Sequence, residues 1–410
     1  MSCDVAEHPT PRRRVPARLS RRAGFAVVAF AFVVNMLGTT LPTPLYGRYR
    51  QSFGLSELTI TVVYSTYAIG VIAALLLFGN FSDRIGRRRM LLPALVASAL
   101  SAVVFLLAHG LGLLLVGRVL SGLSAGVFTG TATATLVDLA PEQHRGRATL
   151  TATVANMGGL GLGPLLSGVV SQTAPHPIRT PYLVNLILVV AAIALVAMMR
   201  EPVEVTRGAR PSVQGLRVPD GVRATFTRAA IAACAGFAVL GLFTAVAPAF
   251  VVSLGHTSRA GIGAVVFAVF VASAAGQLAL ERIPAGHALP GGCFGLIAGM
   301  AVLAAGLAAA SLPLIVAGGV LAGFGQGLSF RAGLAAINAE TPPQQRGAVA
   351  SSFFVVAYVA ISIPIVGEGV LAQTAGLRTA GLVFAGLVAA LSATVLVLLL
   401  RRMPGPATAG

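Results

Sequence analysis

The run GNFSDRIGRRR at 79 to 89 sets one carboxylate, Asp83, among four guanidiniums, with Gly79 and Gly86 in fixed positions, directly after an apolar stretch. A soluble core has little reason to hold so rigid and charged a turn against hydrocarbon, so these charges belong at a membrane surface. Their chemistry is that of a latch. Asp83, where one helix ends, can accept hydrogen bonds from backbone N–H groups at the start of another helix, whose partial positive charge attracts it. Arginines that served topology alone would not need Gly79, Asp83 and Gly86 at fixed spacing.

Further charges fall inside apolar spans, where each costs roughly 2.5 to 3.5 kcal/mol even on insertion scales and is normally tied to a partner or to function. Arg118 lies near the outer end of its span, from where it could snorkel outward. Arg331 lies deeper and has no acid three or four residues away, so its partner is elsewhere or is the substrate. Glu368 is the one acid within an apolar span. Two readings stay open for it, a desolvated proton-carrying carboxylate or a side chain reaching the outer interface. Asn35, Gln277 and Gln326 are the other polar candidates, with Tyr64, Tyr67 and Tyr358 as amphipathic wall residues; residues of these types are more often helix packing or helix–helix hydrogen bonding. Two deep arginines against one deep acid argue for a neutral or anionic substrate.

The elements that must position these residues are membrane spans. The chain is 56% hydrophobic and 10% charged, against about 25% charged in ordinary soluble domains. Segments of about 20 apolar residues predict twelve helices, at 23 to 45, 57 to 78, 90 to 109, 112 to 138, 148 to 172, 181 to 199, 229 to 254, 260 to 280, 291 to 310, 313 to 338, 348 to 371 and 377 to 400. The expected organisation is a basic tail at 1 to 22, a six-helix bundle at 23 to 199, a polar loop at 200 to 228, a second bundle at 229 to 400 and a tail at 401 to 410. The first span is too long for a signal-peptide core and is read as retained.

The net charge of +17 could suggest nucleic acid, but its placement explains it otherwise. All 29 basic residues are arginine. Twenty-two fall in the tails, the even-to-odd loops and the central loop, and only Arg48, Arg50, Arg179, Arg259 and Arg378 lie on the other side. By the positive-inside rule both termini are cytoplasmic, and the basic loops face anionic lipid headgroups. The expected location is a cell membrane, and the alanine- and arginine-rich usage without lysine points to a GC-rich bacterial source. Cys3, Cys234 and Cys293 have no metal or disulfide spacing.

The two halves repeat each other. Residues 119 to 174 align without a gap on 320 to 375, with 15 of 56 positions identical, including PEQHRG against PPQQRG. Asp83 and Arg84 have a weaker echo in Glu281 and Arg282. Two six-helix bundles follow, with substrate expected between them near the midplane.

The turn at Gly79, Asp83, Arg84, Gly86, Arg87 and Arg88 resembles the loop between helices 2 and 3 of the major facilitator superfamily, in particular its twelve-helix drug:proton antiporter group. Arg118 with Gly122 and Gly126 resembles that family's intramembrane arginine motif. Gly159, Gly163, Pro164 and Gly168 resemble its glycine-proline motif of proton-coupled exporters, although Ser167 stands where the motif has glycine. The resemblance implies an all-α membrane protein of two pseudo-symmetric bundles. It places the partner of Asp83 near Ala348 to Ser352 and pairs Arg87 with Asp138.

The expected function is secondary active transport, in the first instance efflux of a small hydrophobic compound driven by the proton motive force, by a monomer without cofactor; import by proton symport is the alternative. An enzyme would gather catalytic groups at one depth, whereas the six histidines are scattered among a tail and loops. Without lysine, no GxxxxGK[ST] nucleotide-binding loop can exist, and no nucleic acid or ATP is expected as a partner. A non-transporting receptor would not need the charged turn echoed in both halves.

Overall fold

The computed structural model describes residues 19–78, 85–203 and 215–401. Twelve helices long and apolar enough to cross a membrane are present among them. These are α1 Arg21–Thr40, α2 Glu57–Phe78, α3 Arg87–Leu106, α4 Leu111–Leu139, α5 Arg145–Thr173, α6 Thr180–Ala197, α7 Arg223–Ala245, α8 Arg259–Ala279, α9 Ala285–Ala308, α10 Leu312–Glu340, α11 Arg346–Ala375 and α12 Leu377–Leu400. No strand occurs among the described residues. Gly79, Asp83 and Arg84 lie outside them.

Helix is the spanning solution because hydrocarbon offers the backbone no hydrogen-bond partners. The ends differ from the predicted spans where proline intervenes. The first span, predicted to run unbroken to 45, stops at Thr40, passes through a 3-10 turn at Thr43–Leu45 and resumes as a short helix, Tyr46–Phe53. Pro42 and Pro44 lie at this break and lack backbone donors. The seventh breaks likewise before Pro248, continuing as Ala247–Ser253. Ser20 and Ser258 cap α1 and α8 by accepting from the N–H groups of Ala23 and Gly261, which satisfies donors that a helix start leaves orphaned.

Lipid tails are as apolar as leucine, so close backbone approach has to hold these helices together. At the α2–α4 crossing, a Cβ at Gly122 would meet the Tyr67 carbonyl, and one at Gly126 would lie 2.7 Å from the Ala74 Cβ. The repeat carries the device to α8–α10, where Gly323 and Gly327 face the carbonyls of Val269 and Ser273. Gly159 and Gly163 bring α5 against Val33, Leu37 and Thr40 of α1.

Two seams join the halves, both on the face away from the arginine-rich loops. On the first, Gly168 of α5 abuts the Arg259 carbonyl and Gly263 of α8 abuts the Pro164 carbonyl. On the second, Gly369 of α11 abuts Thr61 of α2, and Ser65 Oγ donates to the Ser362 carbonyl at 3.3 Å. An apolar cluster spans both halves, including Leu37, Leu41 and Tyr64 with Phe243, Val266 and Ile365. A separate cluster around Phe32, Phe128 and Leu136 belongs to the first half alone.

Gly122→Val forces a branched side chain onto the α2 backbone, so it should destabilise the protein by about 1–3 kcal/mol. Gly158→Val, where a Cβ meets nothing within 4 Å, should leave the thermal unfolding midpoint in detergent close to wild type. Equal midpoints for the two variants would contradict the close-approach account.

Candidate functional site

A cavity of about 260 Å³ lies between the halves. Its deep end holds Arg118 and its mouth reaches Thr149, an exposed residue in the first turns of α5 on the arginine-rich face. The cavity is closed toward the far face by the two seams and the apolar cluster that spans them.

Arg118 sits at the inner end because its partners are there. It is 2% exposed. Its Nη1 donates to the Thr39 carbonyl at 2.6 Å and its Nη2 to the Tyr64 carbonyl at 3.1 Å. The guanidinium carbon lies 4.7 Å from the Tyr67 ring centre and 5.4 Å from that of Tyr64, within range of a cation–π attraction. Among the described residues no carboxylate neutralises it, and its Nε has no hydrogen-bond partner. The outward snorkelling that its sequence position allows does not occur, because neutral carbonyls and ring faces solvate the charge internally.

Arg331 lines the same cavity from α10. Its partners are the Gln277 carbonyl, at 2.6 Å, and Glu281, at 3.2 Å. Glu281, the echo of Asp83, is thus engaged within its own half. The pair is partly exposed, with half of the Glu281 side chain accessible, so solvent screens it. Gln277 also lines the cavity, and its amide nitrogen has no partner.

Both halves supply aromatic walls. Tyr67 meets Tyr358 edge-on at 6.1 Å, and Phe237 stands edge-on to Phe330 at 5.2 Å and to Tyr358 at 6.1 Å. No acid lines the cavity among the described residues.

Asn35 and Gln326, expected as cavity candidates, lie in the packing instead. Ser124 Oγ donates to Asn35 Oδ1 at 2.7 Å between α1 and α4. Ser273 Oγ donates to Gln326 Oε1 at 2.6 Å between α8 and α10. Glu368 is 2% exposed in the far half of α11, and neither carboxylate oxygen has a hydrogen-bond partner among the described residues. It therefore does not reach the outer interface.

The threonines of α4 and α5 were missed as wall residues. Thr129 and Thr133 on α4, and Thr149 and Thr153 on α5, all line the cavity. Their i, i+4 spacing, which puts each pair on one helix face, was the available signal.

On the arginine-rich face, Arg87 Nε donates to Asp138 Oδ2 at 2.8 Å, and Arg21 donates to the Asp138 carbonyl at 2.6 Å. Gly86 precedes α3 with φ of 112°, a conformation that glycine adopts without a Cβ penalty. Glu201, which the sequence reading did not single out, accepts from the backbone N–H groups of Arg87 at 2.6 Å and Arg88 at 3.3 Å. It caps the start of α3, where an anion is favoured.

Residues 28–305 match the family model of the Major Facilitator Superfamily. The chain belongs to the major facilitator superfamily. Within it, the chain is 28% identical over 197 residues to a triacylglyceride transporter of Mycolicibacterium hassiacum, covering 47% of this chain and 37% of that one. It is also 28% identical over 175 residues to the putative multidrug resistance protein MdtD of Escherichia coli, covering 42% and 36%. The matches thus span about a third of the length of these relatives. Among solved structures, a bacterial homologue of the human lysosomal transporter Spinster, inward-facing and unoccupied, superposes with a TM-score of 0.73 at 16% identity over 96% of this chain and all of that one. The human organic anion transporter MFSD10 gives 0.66 at 17% identity over 93% and 100%. The superfamily is one of multi-pass membrane transporters, not enzymes.

The Arg87–Asp138 contact should register in a double-mutant cycle. Arg87→Gln and Asp138→Asn together should cost less than the sum of the singles, with a coupling of about 0.5–3 kcal/mol in thermal stability. Additive losses would show that the two side chains do not interact in solution.

Proposed function

We propose that the protein is a proton-coupled exporter of small hydrophobic compounds, neutral or anionic, working by alternating access. The observation that carries this reading is the cavity itself: two guanidiniums, aromatic walls from both halves and no lining carboxylate among the described residues. A lipophilic cation would meet Arg118 with no carboxylate beside it among the described residues, and Arg331 with only its partly exposed, solvent-screened contact to Glu281. An aromatic or amphipathic anion gains charge-assisted hydrogen bonds and ring contacts. Similarity to a multidrug resistance protein, a triacylglyceride transporter and an organic anion transporter supports a hydrophobic cargo.

On this reading the arginine-rich face is cytoplasmic, in a bacterial plasma membrane, and the cavity is the inward-facing site of a monomer. The turn from Gly79 to Arg88, with Asp138, is the cytoplasmic gate, and Asp83 is its latch. Gly159, Gly163, Pro164 and Gly168 form the outer seal. Glu368 carries the proton: an unpartnered carboxylate in the membrane interior is costly as an ion, and a change of state that wets the seam changes that cost.

The test is uptake into inverted membrane vesicles under an imposed pH gradient, with anionic, neutral and cationic compounds compared. Anions and neutral compounds should accumulate. Arg331→Ala should lower anion transport on the order of 10-fold or more, as expected for losing a charged hydrogen bond of about 1.5–3 kcal/mol. Strong cation transport together with unchanged anion transport in Arg331→Ala would overturn the cargo class, and gradient-driven movement into right-side-out vesicles would establish import. Glu368→Gln should keep anion counterflow but abolish gradient-driven accumulation; undiminished accumulation would remove Glu368 as the carrier.

A further inference from the structure

Five arginines stand on the face opposite the arginine-rich loops, against the charge bias of the chain. Their positions are not random. Arg48, Arg50 and Arg259 line one vestibule of about 580 Å³ on that face, set between the halves. The first two come from the short helix Tyr46–Phe53 and the third from the start of α8. The one acid on the vestibule wall, Glu57, is taken by Arg50.

That leaves two guanidiniums, one from each half, without a carboxylate. Arg259 Nη1 donates to the Ser171 carbonyl, which leaves its other donors and its full charge. Arg48 makes no hydrogen bond or ion pair among the described residues, and it lines the same vestibule as Arg259. Two like charges lining one cleft with a partly apolar wall concentrate a positive potential there. The rest of the wall is partly apolar, with Pro248, Val252, Ile262 and Leu377.

The geometry points to an anion-binding site in this vestibule, in which Arg48 and Arg259 grip a carboxylate, phosphate or sulfonate group while the apolar wall receives its hydrocarbon part. The occupant is a free organic anion or the headgroup of an anionic lipid; the recognising chemistry is the same. Because the two arginines belong to different halves, a bound oxyanion bridges the halves on the sealed face and so stabilises the closed seam. For exported cargo the site is a station beyond the seal. That service rests on the transport reading above; the binding itself does not.

The chain has no tryptophan, so Thr257→Trp places a sole reporter on the vestibule wall. Purified Thr257→Trp protein in nanodiscs of neutral phosphatidylcholine is titrated with 4-nitrobenzoate, a quencher when bound nearby. Saturable quenching, competed by inorganic phosphate, is expected. Arg48→Gln removes no hydrogen bond or ion pair among the described residues, and it should weaken the apparent affinity about 10-fold or more, while Arg48→Lys should retain most of it. Arg259→Gln, checked for an unchanged thermal midpoint, should behave as Arg48→Gln does. Nanodiscs containing phosphatidylglycerol separate the sources: loss of quenching identifies the headgroup as occupant, and retained quenching identifies the free anion. Non-saturable quenching, wild-type affinity in Arg48→Gln, or equal binding of the neutral methyl ester would overturn the site. A protein that binds here yet moves neither anionic nor neutral compounds in vesicles refutes the transport reading and leaves this one standing.

Discussion

Everything in this molecule depends on how closely one helix backbone can approach another. In lipid there is no hydrophobic drive to press apolar helices together, so van der Waals contact at glycine decides which pairs touch. Gly122 and Gly126 bring α4 onto α2, and that crossing sets Arg118 where the Tyr64 carbonyl and two tyrosine rings can receive it. Gly168 and Gly263 bring α5 onto α8 and thereby close the far face. The cavity is the space left where no such approach occurs.

Charge is then distributed by what each site can satisfy. Arg118 is deeply buried and is met by carbonyl dipoles and ring quadrupoles, an arrangement that retains the full positive charge. Arg331, nearer the water, shares a screened contact with Glu281. The Arg87–Asp138 pair and the Glu201 cap sit at the membrane surface, where two elements of one half are tied together. Glu368 has no hydrogen-bond partner on either carboxylate oxygen among the described residues, and so stands apart from these arginines and acids.

Much of this was legible in the residues. Twelve spans and the equivalence of the halves could be anticipated, because hydropathy is a local sum and because the 119–174 and 320–375 segments repeat polar residues that apolar bias cannot supply; the Arg87–Asp138 contact was implied by the family resemblance of the charged turn. Helix ends were less legible: Pro42, Pro44 and Pro248 broke two spans short of the predicted boundaries. Asn35 and Gln326, candidates for the cavity with helix packing as the other reading, lie in the packing. Each bonds a serine on a neighbouring helix, and no pattern along one helix reveals which neighbour a polar group will find.

The sequence by itself determined that this is an all-α membrane protein of two related halves, since the transfer energy of each segment and the repeat depend only on the order of residues. Only the tertiary structure decided which groups face the cavity. A membrane helix is apolar nearly all round, so its periodicity does not report its rotation; the glycine contacts with its neighbours fix that angle. They turn Arg118 inward instead of toward the surface, bring Glu281 to Arg331, and gather Arg48, Arg50 and Arg259 into one vestibule from positions up to 211 residues apart in the chain.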